Sequence, residues 1–173
     1  AVQKISNSDG GLAAHYTFNE YDAFGRSVAP LGDMNGDGVV DFAVGAPYDD
    51  DGGISAGAFY LIFATTSGTV GDAAKVSMLE GGFASFYTLD EDDRFGGSLA
   101  LLGNSDGTLE LVVGADGDND GSSQAGAVYA LSFEMMSPTP LPTVTPLPTV
   151  TPLPTVTPLP TVTPLPTVTP LPT

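Results

Sequence analysis

Residues 24–47 read FGRSVAPLGDMNGDGVVDFAVGAP, and this segment sets the architecture of the chain. Two runs of small and β-branched residues, 26–31 and 40–45, flank a stretch that is rich in Asp, Asn and Gly. Runs of this kind, bounded by turn-forming residues, are typical of β-strands. The segment therefore predicts two strands that are joined by an acidic loop.

The same pattern occurs twice in the chain, at a spacing of 69 to 71 residues. A repeat of this size indicates one supersecondary unit that is used twice. The matching segments are residues 4–6 with 75–77, 10–12 with 81–83, 24–25 with 95–96, 45–46 with 114–115 and 56–60 with 125–129.

Each repeat is predicted to contain four short strands, and no stretch shows helical periodicity. We therefore expect an all-β domain over residues 1–137, with repeats of about 1–73 and 74–133, in which two four-stranded antiparallel sheets pack together. Two such sheets could form a sandwich, belong to a fragment, or share strands with neighbouring chains. The predicted strands are residues 2–6, 26–31, 40–45 and 57–63, then 74–79, 97–102, 109–114 and 126–133.

The segments 24–29, 31–33 and 41–47 resemble the FG-GAP repeat of integrin α-subunit propellers and related surface proteins. Residues 95–99 and 111–115 are a looser match to the same motif. The resemblance implies a four-stranded blade for each repeat, calcium in the loop between its first two strands, and an adhesive or structural role outside the cell. That family usually closes more blades into a ring than the two copies found here.

The loop at residues 33–41 is the sharpest motif in the chain. Its side-chain oxygens belong to Asp33, Asn35, Asp37 and Asp41, at positions 1, 3, 5 and 9, and Val39 at position 7 offers its backbone carbonyl. This alternation matches the first part of an EF-hand loop, and hard oxygen ligands from one short turn suit Ca²⁺. The sequence therefore predicts Ca²⁺ as a cofactor, with a metal-free Asx turn as the alternative.

A second, weaker candidate for a metal site consists of Asp116, Asp118 and Asp120. Its carboxylates also alternate, but an acidic loop that is simply solvated is the alternative interpretation. The run Asp49-Asp50-Asp51 shows no ligand alternation, and we expect it to be solvated.

Residues 138–173 form a tail in which the hexapeptide Thr-Val-Thr-Pro-Leu-Pro repeats from Thr143 onward. Proline restricts itself and the residue before it, so the tail is predicted to be an extended polyproline II helix. Six residues make two turns of this helix, so Val and Leu form one apolar stripe suited to assembly, although a plain linker is the alternative. The stripe comprises Val144, Leu147, Val150, Leu153, Val156, Leu159, Val162, Leu165, Val168 and Leu171.

The threonines of the tail lie beside prolines, as in mucin-like stalks and in the hydroxyproline-rich glycoproteins of plant and algal walls. That resemblance implies O-linked glycans on the tail. The candidate positions are Thr143, Thr145, Thr149, Thr151, Thr155, Thr157, Thr161, Thr163, Thr167 and Thr169.

Charge and motif content restrict the function further. The chain has 21 acidic residues, four basic residues and a net charge of −17, which disfavours binding to nucleic acid or to an anionic membrane surface. No apolar run reaches the ~18 residues that a membrane span needs, so we expect no membrane insertion. His15 has no evident partner for nucleophilic catalysis, so no enzyme activity is expected.

These features together predict a secreted, extracellular structural glycoprotein. We expect a calcium-stabilised subunit of a fibre or surface coat, which binds copies of itself through sheet edges and the striped tail. The alternative is a monomeric adhesion or carbohydrate-binding head on a glycosylated stalk.

Overall fold

The computed structural model describes residues 2–105 and 107–134, apart from the side chains of Asn104 and Ser105. The predicted polyproline II tail, with its apolar stripe and its candidate glycosylation sites, lies outside the described residues.

The described residues form two antiparallel β-sheets with almost no helix, so the prediction of an all-β fold with two packed sheets is confirmed. The first sheet has the strand order β1-β2-β3-β4 and the second has the order β5-β6-β7. A three-residue 3₁₀ helix precedes each sheet, at Leu12–Ala14 and at Phe83–Ser85. The strands are β1 (Ser27–Gly32), β2 (Asp41–Ala46), β3 (Ala58–Ala64), β4 (Val70–Val76), β5 (Phe95–Ser105), β6 (Thr108–Ala115) and β7 (Ala127–Glu134).

Two strand predictions are wrong. Residues 2–6 are irregular, and Val2 is fully exposed. The sequence predicts residues 74–79 as the first strand of the second sheet, whereas β4 is the last strand of the first sheet, with Lys75 opposite Tyr60. The reason is chain geometry, because a short hairpin after β3 makes β3 the nearest edge on which the following segment can pair. The second sheet consequently has three strands within residues 95–134, not four.

An aromatic layer lies between the two sheets. Phe95 is completely buried, and its ring centroid lies 4.7 Å from that of Phe83, 5.5 Å from that of Tyr129 and 5.7 Å from that of Phe59. Aliphatic side chains of both sheets surround these rings and complete one continuous core. They are Ala29, Leu31, Ala43 and Leu61 from the first sheet and Leu109, Leu111, Val113 and Ala115 from the second.

Each sheet is covered on one face by the segment that precedes it in the chain. On the first sheet, Tyr60 is 1% exposed and packs against the rings of Tyr16, Phe18 and Phe24. The corresponding residue of the second sheet, Tyr129, packs in the same way against Phe83, Tyr87 and Phe95. Equivalent residues of the two sequence repeats therefore make similar packing contacts.

The backbones of the two repeats come into close contact at Gly45 and Gly96. A Cβ atom on Gly45 would lie 2.0 Å from the carbonyl oxygen of Gly96, and one on Gly96 would lie 2.2 Å from the carbonyl oxygen of Ala58. The Ser27 hydroxyl donates to the Gly96 carbonyl at 2.7 Å. Only glycine permits this approach, which explains the glycine after Phe95.

Truncation of Phe95 to alanine should destabilise the whole domain. Because its ring contacts aromatic residues of both sheets, we expect Phe95→Ala to lower the free energy of unfolding by about 3–5 kcal/mol. Chemical denaturation monitored by circular dichroism measures this change. Phe86→Ala is the matched control, since that ring is 81% exposed and its loss should change stability by no more than about 0.5 kcal/mol. Equal effects of the two substitutions would contradict the described core.

Candidate functional site

The acidic loop connects β1 to β2, and its backbone folds around its own carboxylates. Asp33 accepts hydrogen bonds from the backbone N–H groups of Gly36, Asp37 and Gly38 at 2.7–3.0 Å. Asn35 Oδ1 accepts from the N–H of Asp37 at 3.0 Å. These bonds hold three of the predicted ligands on one tight turn, and Gly36 and Gly38 adopt the positive φ angles that this turn requires.

Asp41 closes the loop from inside the protein. Its side chain is completely buried, and its two oxygens accept hydrogen bonds from the N–H of Met34 at 2.9 Å and from the N–H of Ala64 at 3.0 Å. Burial raises the pKa of Asp41, and the charges of Asp37 and Asp33 raise it further. Asp41 therefore ties the acidic loop to the end of β3, and within the described residues it forms no ion pair.

The donor set of the loop fits a hard cation. It offers three carboxylates, from Asp33, Asp37 and Asp41, together with the Asn35 amide oxygen and the Val39 carbonyl. None of these carboxylates forms an ion pair among residues 2–105 and 107–134. Within the same residues, no three Asp, Glu, His or Cys side chains already converge as a metal-binding group. An ion bound here would therefore require the carboxylates of the loop to move closer together.

The structure places Asp118 and Asp120 of the weaker candidate metal site side by side, because the N–H of Asp120 donates to Asp118 Oδ1 at 3.0 Å, whereas Asp116 faces Arg94. Asp116 is exposed and lies 3.8 Å from Arg94 Nη1. Asp118 is 3% exposed and accepts a hydrogen bond from the Tyr129 hydroxyl at 2.7 Å, while Asp120 is exposed. Among the described residues, the three carboxylates do not converge as one metal-binding group.

A buried ionic cluster lies where the sequence predicts a solvated loop. Asp49 is 3% exposed and accepts hydrogen bonds from the Tyr60 hydroxyl at 2.8 Å and from Lys75 Nζ at 2.9 Å. Lys75 Nζ also pairs with Asp51. Burial opposes the charge of Lys75, but its hydrogen bonds to Asp51 and Asp49 prevail and raise the pKa of this lysine. The expectation of a solvated run is therefore wrong for Asp49.

The second repeat contains the same cluster without the lysine. Asp118 and Tyr129 correspond to Asp49 and Tyr60, and Asp93 is buried beside them. Burial raises the pKa of Asp93, and Asp118 raises it further. One carboxylate oxygen of Asp93 is buried without a hydrogen-bond partner. The sequence analysis missed both clusters, although the shared 69-residue spacing of the aspartate and the tyrosine was a usable signal.

The fold and the acidic loop define an all-β repeat protein with a candidate cation site. Comparison with known families matches residues 24–62 and residues 89–131 to FG-GAP repeat models. The chain therefore contains two FG-GAP repeats, as the motifs predict. The segment between the matches includes β4, the strand that completes the first sheet.

Individual relatives carry the same repeat. The chain is 36% identical to integrin alpha-7 of Homo sapiens over 116 residues, which are 65% of this chain and 9% of the integrin. It is 34% identical to phosphatidylinositol-glycan-specific phospholipase D of Mus musculus over 133 residues, 73% of this chain and 15% of that protein. Integrin alpha-PS2 of Drosophila melanogaster is 36% identical over 89 residues, 45% of this chain and 6% of the integrin. The chain thus spans a small fraction of the length of each relative.

No helix in the described part of the chain is long and apolar enough to cross a membrane.

Replacement of Lys75 by methionine should strongly destabilise the first sheet. The substitution keeps the length of the side chain but leaves Asp49 buried without its cation, so we expect a loss of about 3–5 kcal/mol in the free energy of unfolding. Lys4→Met is the matched control, because the Lys4–Asp9 pair is exposed to solvent and its loss should change the stability little. Urea denaturation of dilute protein measures the free energy of unfolding of both variants. Similar losses would contradict the conclusion that the buried Lys75 pair stabilises the sheet more than the exposed Lys4 pair does.

Proposed function

We propose that this chain is an extracellular, non-catalytic structural module that is stabilised by calcium and assembles with copies of itself into a fibre or surface coat. The observation that carries the proposal is the pair of FG-GAP repeats packed through one core, with the acidic loop at 33–41 between the first two strands. Integrin α-subunits among the relatives favour an adhesion-type role outside the cell.

Calcium would be held by Asp33, Asn35, Asp37 and Asp41, with the carbonyl of Val39. The ion supplies positive charge to carboxylates that have no cationic side chain nearby in the described residues. Asp41 binds the N–H of Ala64, so neutralising this carboxylate would stabilise the connection between the acidic loop and β3. Oxygen ligands, a loop with little bulk and a high local negative charge favour Ca²⁺ over Mg²⁺, which retains its waters.

A structural role also agrees with the carboxylates and histidine of this chain. His15 Nδ1 lies 3.4 Å from Asp72, a side chain that is 74% exposed. Asp49 and Asp118 are engaged by tyrosine hydroxyls, and Asp41 by backbone N–H groups. One of the relatives is named as a phospholipase, but the chain covers 15% of it, so we do not extend that activity to this chain.

The tail would complete the assembly. We propose that its Val and Leu stripe packs along a neighbouring subunit, and that its threonines carry O-linked glycans on the other faces. The net charge of −17 disfavours nucleic acid and anionic membranes as partners. A monomeric adhesion or carbohydrate-binding head on a glycosylated stalk is the second candidate, favoured by the exposed aromatic rings of Tyr21, Phe86 and Tyr87.

Calcium should raise the melting temperature of the protein, and single substitutions in the acidic loop should abolish the rise. At an ion concentration of 100 times Kd, binding adds about 2.7 kcal/mol to the stability. This corresponds to a shift of several degrees. We expect Asp37→Ala, which removes an exposed oxygen ligand, to remove the shift, and Glu20→Ala to retain it. Calorimetry in EGTA and in Ca²⁺ measures this, and equal melting temperatures in both buffers would contradict the proposed site.

Electron microscopy of the full chain distinguishes the two functions. We expect negative-stain images of native material to show uniform filaments. Substitution of Leu147, Leu153 and Leu159 by serine, which interrupts the apolar stripe, should shorten or abolish them. Substitution of Thr145, Thr151 and Thr157 by serine is the control, because it leaves the stripe intact. Discrete small particles in native material would overturn the fibre and favour the adhesion head.

A further inference from the structure

In the first repeat, β4 fills a groove beside β3. The N–H of Val70 donates to the carbonyl of Gly10 at 2.7 Å, and the N–H of Lys75 donates to the Tyr16 hydroxyl at 3.1 Å. The ammonium group of Lys75 lies between Asp49 and Asp51. The fourth strand thus supplies both backbone pairing and a buried cation to the sheet.

In the second repeat, the equivalent groove is open. A cavity of about 420 Å³ runs along β7 and is lined by Gly81, Gly82, Tyr87 and residues 129–133 among others. Gly81, Gly82 and Tyr87 are the repeat equivalents of Gly10, Gly11 and Tyr16, which β4 covers in the first repeat. Within residues 95–134, no strand pairs with the outer edge of β7. The cavity is therefore the place of a missing fourth strand.

This groove also lacks a positive charge. Asp118 and Asp120 are the equivalents of Asp49 and Asp51, yet among the described residues no lysine, arginine or histidine pairs with either of them. The buried oxygen of Asp93 that has no hydrogen-bond partner lies in the same cluster. A strand that carried a lysine at the position of Lys75 would supply the missing charge to Asp118 and Asp120, as Lys75 does for Asp49 and Asp51.

Residues 135–173 do not carry the lysine that this position requires. Residues 135–173 contain no lysine or arginine, and prolines at 138, 140 and 142 have no backbone N–H to donate to a strand. The lysines and arginines of the sequence are Lys4, Arg26, Lys75 and Arg94. Of these, Lys4 shares its flanking sequence with Lys75, because Lys4-Ile5-Ser6 is the repeat equivalent of Lys75-Val76-Ser77.

Residues 4–6 already have the local geometry of the end of β4. The N–H of Ser6 donates to the carbonyl of Asp9 at 3.0 Å, and the N–H of Ser77 donates to the carbonyl of Glu80 at 3.1 Å. The carbonyl of Lys4 lies against Gly10 as that of Lys75 lies against Gly81. Lys4 itself is 73% exposed. The segment therefore has the turn that follows β4, and Ile5 packs on the core of the first sheet, but within the described residues no strand pairs with it.

We propose that residues 2–6 of one copy add the fourth strand to the second sheet of another copy, where Lys4 enters between Asp118 and Asp120. This proposal rests on the self-assembly proposed above and names one of its joints. The pairing of β3 with β4 supplies the register. The expected partners are Val128 with Ile5, Tyr129 with Lys4, Ala130 with Gln3 and Leu131 with Val2.

An apolar face of the second sheet supports the same arrangement. Its exposed side chains include Leu102 and Val128, at 62% and 71% exposure. Their equivalents in the first sheet, Leu31 and Phe59, are buried under the second repeat. A second copy that donates residues 2–6 would place its first repeat on this face, as the second repeat follows β4 within one chain. Such a contact joins different surfaces of the two copies, so further copies can be added in the same way to form a chain of subunits.

Disulfide cross-linking of the full chain tests the register. The protein has no cysteine, so Gln3→Cys combined with Ala130→Cys introduces one defined pair. Residues directly opposite in an antiparallel pair have Cα atoms about 4.5–5.5 Å apart, within the range for a disulfide. We expect oxidation to give a ladder of covalent oligomers on a non-reducing gel. The matched control, Gln3→Cys with Ser132→Cys, moves one thiol two residues along the same face and should give at least tenfold less product.

Charge substitutions in the same cysteine variant test the role of Lys4. We expect Lys4→Asp to reduce the ladder at least tenfold, and additional Asp120→Lys to restore it. Asp9→Asn, which removes only the exposed intramolecular pair of Lys4, should leave the ladder intact. An intrachain disulfide, monomers only, or equal ladders with Ala130→Cys and Ser132→Cys would overturn this joint. If native material forms filaments but the cysteine variant gives no covalent oligomers, the strand exchange is wrong and the proposed fibre is unaffected. If covalent oligomers form but filaments do not, the proposed fibre is wrong.

Discussion

The described structure depends on the aromatic layer between the sheets, which belongs to neither repeat alone. Phe59 comes from the first repeat, whereas Phe83, Phe95 and Tyr129 come from the second. An open sheet has two faces to bury, and the segment that precedes each sheet covers only one of them. The first sheet therefore obtains its second cover from the next repeat, and the two repeats stabilise each other in one core.

Charge is the opposing constraint. With a net charge of −17, the chain carries carboxylates into positions where burial favours their neutral form, as the raised pKa values of Asp22, Asp41 and Asp93 show. The first repeat offsets part of this cost with Lys75. At Asp41 and Asp118, the described residues instead offer backbone N–H groups or a tyrosine hydroxyl. Stability at neutral pH should accordingly respond to any cation, ion or side chain, that reaches these sites.

Sequence patterns predicted the all-β fold because alternating small, β-branched and turn residues leave few other structures for segments such as 40–45 and 57–63. They also located the acidic loop. Sequence patterns did not predict which sheet the strand at residues 74–79 joins, because that assignment depends on pairing with a distant segment and the local sequence does not encode it. They failed again at Asp49, because a run of three aspartates has the composition of a solvated turn. Only the tertiary contact with Tyr60 and Lys75 reveals that its first member is buried.

The position of β4 has a consequence for how such a chain can grow by duplication. The sequence unit that is copied begins before residue 4, but the sheet that folds as one piece extends from Ser27 to Val76. The boundaries of the duplicated sequence unit and of the folded sheet therefore differ by one strand, because β4 belongs to the second sequence repeat but to the first sheet. Each added copy completes the sheet of its predecessor and brings a new incomplete sheet of its own, so a linear array of any length keeps one unsatisfied edge. Only closure upon itself, or another molecule, can remove that edge.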